Sequence, residues 1–300
     1  MQLTYIRLIK KIPKLLRKVG LTSIAQSAQQ YYQNSLIKYL YQQNSSILTP
    51  IENENNDTQI YTNTIWVCWL QGYDSAPLLV KKCIDQLKKY NQNVIVLNLE
   101  NYQDYVELPE VITEKFSQKK ITPTHFSDIL RFALLAKHGG LWIDSTYLTF
   151  QPLPSDIWEN NFFTLSSQKP IFKKWIPQGQ WSGNFIKFKK GDPTPHIMYS
   201  IFIQYWIDNN YLIDYFLIDY IIRLNYDYNP NFKKQIDQNK ALGDNIFFLI
   251  DILSKQQSKE IDTCFNQDTI KIYKLAHRFS LSSLDLHGSY YEKFILNREL

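Results

Sequence analysis

The sequence predicts an α/β fold with a mostly parallel sheet, and three segments carry this prediction. Residues 65–70 form a short apolar run that is typical of a buried strand, and residues 94–97 form a second one. Between them, residues 76–90 carry apolar side chains at helical spacing. A strand, a helix and a strand within about 35 residues are typical of a βαβ unit, whose two strands run parallel.

The central stretch, residues 121–146, predicts a long buried helix followed by a strand. Thr122 suits the N-cap, and the residues that follow are mostly apolar. We expect the helix to end at the glycine pair 139–140, because glycine accepts the left-handed dihedrals of a helix C-terminus. Residues 141–143 are then expected to form a short buried strand that ends at Asp144.

Three charged residues stand out in this apolar stretch. Asp128 and Arg131 lie three positions apart, so they share one face of the predicted helix. Asp144 follows a buried strand, and ligands of open α/β sheets bind beyond the carboxyl ends of strands. The three are therefore candidate catalytic residues. Spacing alone leaves a second interpretation open, in which Asp128 and Arg131 pair with each other and Asp144 caps a turn.

The remainder of the chain predicts further elements. We expect a short helix at residues 110–118 and a hairpin at residues 175–188, where apolar residues alternate. Helices are also expected at residues 193–205 and across the aromatic and acidic residues 214–220. Asp244 suits the N-cap of another helix. No glycine-rich phosphate loop follows either early strand, which argues against a dinucleotide or P-loop site.

Positive charge is concentrated at the N-terminus. The first 51 residues contain no Asp or Glu and carry seven basic residues: Arg7, Lys10, Lys11, Lys14, Arg17, Lys18 and Lys38. The other 26 of the 33 Lys and Arg residues face 28 Asp and Glu residues, so the N-terminal segment holds the whole positive excess.

Residues 1–20 predict an amphipathic helix that is kinked or divided at Pro13. Its apolar face is expected from residues at steps of three and four: Tyr5, Ile9, Ile12, Leu16 and Val19. A basic amphipathic helix suits an anionic membrane surface. The alternative is a helix that packs its apolar face on the main domain and leaves its charges in water.

Composition predicts the domain organisation. Residues 49–63 are polar and poor in apolar residues, which is typical of a linker. We therefore divide the chain into a helical extension with its linker, residues 1–59, and a main domain, residues 60–300.

The cysteines predict a reducing, cytoplasmic compartment. Cys68, Cys83 and Cys264 fit no zinc motif, and the first two fall within apolar patterns that are typical of reduced core residues. No run of 18 apolar residues occurs, so we expect no segment that spans a bilayer.

The segment SDILRFALLAKHGGLWIDST resembles the central signature of the bacterial capsular polysaccharide synthesis glycosyltransferases. That group is related to family 32 glycosyltransferases and, more distantly, to the clostridial toxin glucosyltransferases. Its pattern is an Asp and an Arg three apart on a helix, two glycines, a strand and a DXD motif. Asp128 and Arg131 match the helical pair, and Asp144 matches the first Asp of DXD. Thr146 replaces the second Asp, which gives Asp-Ser-Thr.

The resemblance implies a GT-A fold, which is a single Rossmann-like domain that binds a nucleotide-sugar. It implies transfer of a sugar from a nucleoside-diphosphate sugar, such as a UDP-sugar, to a hydroxyl of a capsular or lipooligosaccharide glycan, with retention of configuration. The partners would be this donor and a glycan or lipid-linked glycan acceptor, with no nucleic acid. Residues 1–20 add an anionic membrane surface as an expected partner, which would place the protein in the cytoplasm, at the inner face of the cytoplasmic membrane. Two alternatives stay open: a toxin-like transferase that modifies a protein, and a non-catalytic carbohydrate-binding relative.

The resemblance also implies a divalent cation, Mn²⁺ or Mg²⁺, beside the diphosphate. Asp144 is the expected metal ligand, and His277 is a second candidate, either as a ligand or as a hydrogen-bond donor to phosphate. Lys274 and Arg278 lie in an element similar to the YKLxxK element of the group and would neutralise phosphate oxygens. The alternative for residues 274–278 is an exposed basic turn. Because a hydroxyl is a poorer ligand than a carboxylate, Thr146 weakens the metal prediction.

Four further residues are candidates for substrate binding through the resemblance. Trp69 matches a Trp that stacks on the nucleotide base in the toxin-like relatives. Asn98 follows the second strand near the place where relatives contact the base, although Asn there is also a common turn residue. Trp181 and Asn184 match a Trp-x-x-Asn feature of the capsular group, in which Asn184 contacts sugar or supports the structure. Asp219 either faces the acceptor cleft or belongs to the core.

Overall fold

The computed structural model describes residues 3–48, 63–172, 175–279 and 286–296. The α-helices in these ranges are α1 Leu3–Ile9, α2 Ile12–Lys18, α3 Thr22–Asn44, α4 Leu78–Tyr90, α5 Glu110–Ser117, α6 Pro123–His138, α7 Asp156–Glu159, α8 Pro193–Asp208, α9 Leu217–Tyr228, α10 Pro230–Asp237, α11 Phe248–Ile252 and α12 Lys259–Gln267. The strands are β1 Ile65–Cys68, β2 Val94–Leu97, β3 Gly140–Ile143, β4 Tyr147–Thr149, β5 Phe162–Thr164, β6 Phe185–Phe188 and β7 Ile272–Lys274.

Five strands form a central sheet in the order β2–β1–β3–β6–β5. β1 runs parallel to β2 and β3, whereas β6 runs antiparallel to β3 and β5, so β6 opposes the direction of the other four. The predicted α/β class is therefore confirmed. A mixed five-stranded sheet surrounded by helices is consistent with a Rossmann-like GT-A domain.

A second, two-stranded sheet joins distant parts of the chain. β4 pairs antiparallel with β7, and this register places Tyr147 opposite Lys274. The backbone N–H of Leu275 also donates to the carbonyl oxygen of Thr146 (2.8 Å). The pairing brings the C-terminal strand beside the loop that follows β3.

Helix α6 and strand β3 form as the sequence predicts. The Thr122 hydroxyl caps the helix by accepting from the backbone N–H of His125 (3.3 Å), and ten of the residues in α6 are buried. Gly139 has φ +66°, and a Cβ built on it would lie 2.4 Å from the backbone nitrogen of Lys190. Gly140 has φ +94°, and its Cβ would lie 2.6 Å from the carbonyl oxygen of Thr64. Both glycines are required by conformation and by close backbone approach.

The N-terminal helices pack on the same core as the sheet. The chain divides between α1 and α2, as Pro13 predicts, and α3 lies along α9. Lys10 forms an ion pair with Asp214 (3.0 Å), and the Tyr32 hydroxyl donates to the same carboxylate (2.6 Å).

The predicted apolar face of residues 1–20 is wrong as a set. The side of α1 that packs on the core is formed by Leu3, Ile6 and Ile9, whereas most of the predicted face is exposed: Tyr5, Ile12 and Val19. The predicted linker and the boundary at residues 59 and 60 lie outside the described residues, and the division into two parts stays a prediction. No helix in the described ranges combines the length and apolar character of a bilayer-spanning segment.

Two local predictions are wrong. Of the hairpin predicted at residues 175–188, only β6 is a strand, and it pairs with the distant strands β3 and β5 rather than with a local partner. Asp244 does not cap a helix, since α11 begins at Phe248. Its carboxylate accepts instead from the Ser167 hydroxyl (2.5 Å) and the Gln168 backbone N–H (3.2 Å).

Candidate active site

Asp144 lies at the carboxyl end of β3 and is held by donors on both carboxylate oxygens. Its Oδ1 accepts from Arg131 Nη2 (3.2 Å) and from the Trp142 indole N–H (3.0 Å). Its Oδ2 accepts from Lys274 Nζ (3.1 Å). The side chain is 29% exposed, so a ligand can reach it while two cations hold it in place.

Arg131 links Asp144 to Asp128. The same Nη2 atom lies 3.2 Å from Asp128 Oδ1, and Nη1 donates to the carbonyl oxygen of Gly183 (2.6 Å). Asp128 is 8% exposed and Arg131 is 4% exposed, so this part of the site is inside the protein. Arg131 therefore pairs with Asp128, as one interpretation of the spacing expects, and it also contacts Asp144. A catalytic role for the three residues stays a prediction.

The electrostatics of the site keep Asp144 ionised. Burial raises the pKa of this carboxyl, but Lys274, Arg131 and the Trp142 N–H together outweigh burial, so its pKa lies below the ordinary value. Asp144 is thus an anion at neutral pH that is bound on two sides by positive charge.

Lys274 bridges the two ends of the Asp-Ser-Thr triplet. Its ammonium contacts Asp144 and also donates to the Thr146 hydroxyl. The β4–β7 register explains this position, because it places Lys274 opposite Tyr147, directly after Thr146. A positive group therefore occupies the space between the two side chains that match the ends of a DXD motif.

The side chains described around Asp144 and Thr146 are not arranged as the ligands of a divalent cation. Mn²⁺ and Mg²⁺ prefer several oxygen ligands, usually including more than one carboxylate. Here both oxygens of Asp144 are bound by cationic side chains, the nearby Asp128 is paired with Arg131, and the Thr146 hydroxyl is bound by Lys274. No cluster of three or more His, Cys, Asp or Glu side chains suited to a metal occurs among the described residues. A divalent cation at this place is therefore supported by the resemblance alone and not by the residues that the structure describes there.

Trp69 and His277 meet at one end of the site. Their rings pack edge to face, with centroids 5.9 Å apart. Partial burial, together with the neighbouring cations Arg278 and Lys274, lowers the pKa of His277, so its imidazole is neutral at pH 7. Both His277 and Arg278 are exposed. The loop after β7 therefore brings His277 against Trp69, the residue that follows β1.

Asn98 and Asn184 are engaged in local structure. Asn98 Oδ1 accepts from the backbone N–H groups of Glu100 (2.8 Å) and Asn101 (2.9 Å), which is the pattern of a turn residue. Asn184 Oδ1 accepts from the hydroxyls of Tyr147 and Ser182, both at 2.7 Å. The Asn184 carbonyl oxygen also accepts from the Asp144 N–H (3.0 Å), so Asn184 holds the catalytic candidate in position.

Asp219 lies on the Arg131 side of the site. The Trp181 indole N–H donates to its Oδ1 (3.3 Å), and no ion pair in the described ranges includes it. Burial raises the pKa of Asp219 to about 7, with the Trp181 N–H acting in the opposite direction and the Asp128 charge adding to the rise. The Trp181–Asp219 contact explains why the Trp-x-x-Asn feature lies next to this carboxyl.

Sequence reasoning missed two residues that contact the site. Trp142 precedes Asp144 by two positions, and alternate residues of a strand share a face, so this neighbour could have been found from the pattern. Tyr147 contacts Asn184 and lies under the Lys274 ammonium, 5.2 Å from nitrogen to ring centroid. No local signal predicts that contact, because it depends on the pairing of β4 with β7.

Comparison with known proteins defines the class of protein. Residues 14–294 match the family described as capsular polysaccharide synthesis protein, so the chain belongs to that family and the predicted resemblance is confirmed. The chain is also similar to an uncharacterized glycosyltransferase of Acanthamoeba polyphaga mimivirus, with 26% identity over 126 residues. These residues are 38% of this chain and 47% of the viral protein, so the chain spans about half the length of that relative.

Proposed function

We propose that this protein is a glycosyltransferase that moves a sugar from a nucleoside-diphosphate sugar to a hydroxyl of a growing capsular or lipid-linked glycan. The observation that carries the proposal is the ionised Asp144, held between Arg131 and Lys274 at the carboxyl end of β3. Family membership and a relative named as a glycosyltransferase support glycosyl transfer in general.

The difficult step in this reaction is departure of the diphosphate. As the bond between the sugar C1 and the phosphate oxygen breaks, the leaving oxygen gains negative charge that positive groups stabilise. Lys274 and Arg131 are positioned to supply that charge, and Asp144 holds both of them in place. In a front-face mechanism with retention, the acceptor hydroxyl attacks C1 on the side of the leaving group and gives its proton to the departing phosphate oxygen.

The remaining residues fit the parts of such a donor and acceptor. We place the nucleotide base against Trp69 and the diphosphate between Lys274, His277 and Arg278, where neutral and positive groups meet. We place Asp219 on the acceptor side, since it is near enough to Asp128 and Arg131 for their charges to act on it. A UDP-sugar donor and a cytoplasmic location stay predictions.

Hydrolysis of a panel of UDP-, GDP- and CMP-sugars tests the proposal. We expect the wild-type protein to hydrolyse at least one donor. Asp144→Asn should lower the rate by roughly 10²- to 10³-fold, because Arg131 and Lys274 are no longer held in place by a carboxylate. Asp227→Asn is the matched control, since this carboxylate forms an exposed ion pair with Arg223. Thermal unfolding of Asp144→Asn should stay close to wild type, and failure of every donor to bind or react would contradict the proposal.

A non-catalytic, carbohydrate-binding role is the second candidate, and Thr146 at the end of the DXD-like triplet is the observation that favours it. Titration calorimetry with the same donors separates the two roles. A transferase hydrolyses the donor that it binds, whereas a binding protein would retain affinity for a sugar without turnover.

A further inference from the structure

Exposed apolar side chains are concentrated in the N-terminal helices. Half of the large apolar side chains that are exposed in the described ranges lie within residues 3–31: Tyr5, Leu8, Ile12, Leu15, Val19, Leu21, Ile24 and Tyr31. Leu15 is 60% exposed and Val19 is 69% exposed. Single exposed apolar residues are ordinary on a protein surface, but a group of this size indicates a binding surface.

Five of these residues form a continuous row, which we call the N-terminal row: Tyr5, Leu8, Ile12, Leu15 and Val19. Tyr5 and Leu8 share one side of α1, Ile12 and Leu15 share one side of α2, and Val19 follows directly at the end of α2. Lys11, the residue before α2, has helical dihedral angles of φ −78° and ψ −23°. The Tyr5 hydroxyl contacts the Tyr31 hydroxyl (3.0 Å), so the row continues onto α3.

The opposite side of α1 is already occupied. Leu3, Ile6 and Ile9 are buried in the main core. Packing on the main domain therefore accounts for Leu3, Ile6 and Ile9, and no other described part of the chain buries the N-terminal row.

The N-terminal segment itself carries charge of one sign. Residues 1–51 contain no acidic side chain, and four exposed basic residues alternate with the row: Lys11, Lys14, Arg17 and Lys18. Arg7 and Lys10, the two basic residues nearest the N-terminus, contact the main domain instead. Lys10 pairs with Asp214, and the Arg7 guanidinium lies 4.8 Å from the centre of the Tyr211 ring. The bases that remain in water therefore lie beside the apolar row.

We propose that the N-terminal row binds the surface of a lipid bilayer that contains anionic lipids. The apolar side chains would enter the boundary between headgroups and acyl chains, and Lys11, Lys14, Arg17 and Lys18 would contact lipid phosphates. A second copy of this chain is a poor occupant, because the two basic surfaces would repel each other. The inference is independent of the proposed transferase activity.

Co-sedimentation of the full chain with vesicles tests this inference. We expect binding to vesicles of equal parts phosphatidylcholine and phosphatidylglycerol, and much weaker binding to phosphatidylcholine alone. Leu15→Ser/Val19→Ser should lower the partition coefficient at least about tenfold, since two apolar side chains no longer enter the lipid. Lys14→Gln/Lys18→Gln should give a similar loss on anionic vesicles only. Raising the salt from about 0.1 M to 1 M should weaken binding of the wild type, because the Debye length falls from about 10 Å to 3 Å.

Two control variants carry the same chemistry elsewhere on the surface. Ile207→Ser removes a side chain that is 56% exposed at the end of α8, and Lys88→Gln/Lys89→Gln removes two exposed bases from α4. Both should bind vesicles like wild type, and thermal unfolding should establish that every variant is folded. The inference is overturned if wild type does not bind anionic vesicles, if it binds neutral vesicles equally well, or if the row variants bind like the controls.

Discussion

At the scale of single residues, Lys274 is the side chain on which the charge balance of the site depends. It is the only cation in the described ranges that contacts both Asp144 and Thr146. We predict that Lys274→Ala lowers kcat/KM by roughly 10²- to 10³-fold, because the leaving diphosphate loses a preorganised positive group. Steady-state kinetics with the best donor of the panel measures the effect.

The control for this prediction is Lys259→Ala, which removes an exposed lysine at the start of α12. Its kinetics should match wild type. A Lys274→Ala variant that retained wild-type kcat/KM would show that this ammonium does not act on the leaving group.

Asp219 gives a prediction about pH. Its pKa in the folded protein is raised to about 7, so between about pH 4 and 7 the folded state holds a proton that the unfolded state has lost. Stability should therefore fall as pH rises through this window, by no more than about 1.4 kcal/mol per pH unit. Asp219→Asn should flatten that part of the profile, which denaturant unfolding at several pH values can measure.

Asp104→Asn, a change at an exposed carboxyl between β2 and α5, is the matched control and should keep the wild-type profile. If Asp219→Asn and wild type lose stability equally as pH rises, the raised pKa of Asp219 is contradicted.

The residues that could be predicted from sequence are those whose chemistry conflicts with their surroundings. Asp128 and Arg131 interrupt an apolar helix, and Asp144 follows an apolar strand, so the sequence alone makes each of them conspicuous. Asn98 and Asn184 give no such conflict, since Asn is equally common as a turn residue and as a ligand contact. Their hydrogen bonds within the protein could be found only from the structure.

At the scale of elements, the junction of α6 and β3 is the most constrained point. Gly139 combines a positive φ with a close backbone neighbour, whereas Gly191 has φ +85° and nothing within 4 Å of a built Cβ. We predict that Gly191→Ala costs about 1–2 kcal/mol through conformation alone. Gly139→Ala should cost a further 1–3 kcal/mol or so, because the backbone at Lys190 must move.

Denaturant unfolding of both variants measures the difference. Equal losses of stability would mean that the backbone at Lys190 yields without cost, and that only the dihedral angle selects glycine at position 139.

Elements defined by local pattern were predicted well, and those defined by distant partners were not. The cap, length and end of α6 follow from neighbouring residues, so the sequence contains them. The alternation in residues 175–188 is real, but the strand that it produces is paired by β3 and β5 rather than by a hairpin partner. Periodicity indicates a strand without indicating its neighbour.

At the scale of the whole molecule, two distant segments meet to build the site, and this leads to a prediction about metals. Lys274 of β7 occupies the space between Asp144 and Thr146, so we predict that donor hydrolysis persists in EDTA. A double variant, Lys274→Ala/Thr146→Asp, removes the ammonium and supplies a second carboxylate. Its activity should be low in EDTA and should rise on addition of Mn²⁺.

Lys274→Ala alone is the control, because it lacks the ammonium without gaining a carboxylate and should respond less to Mn²⁺. If wild-type activity stops in EDTA and returns with Mn²⁺, the assignment of Lys274 fails while the transferase assignment stands. Absence of activity under all conditions would instead count against the transferase.

The α/β class could be predicted from the first strand, helix and strand, because the three elements of a βαβ unit are adjacent in the sequence. The pairing of β4 with β7 could not, since more than 120 residues separate Tyr147 from its partner Lys274. At the level of sequence, only the family resemblance connects the two ends of the site.

Asp214 pairs with Lys10, in the turn before α2, and accepts a hydrogen bond from Tyr32 of α3. Asp214 also lies just before α9, the helix that contains Asp219. These contacts link α1, α3 and the segment that carries Asp219 to one another. A protein resting on lipid through α1 and α2 would therefore hold its cleft at one height and one tilt above the headgroups. Only a lipid-linked acceptor long enough to extend from the headgroups to Asp144 could then react. The distance between the bound helices and the site would therefore select the length of the acceptor glycan.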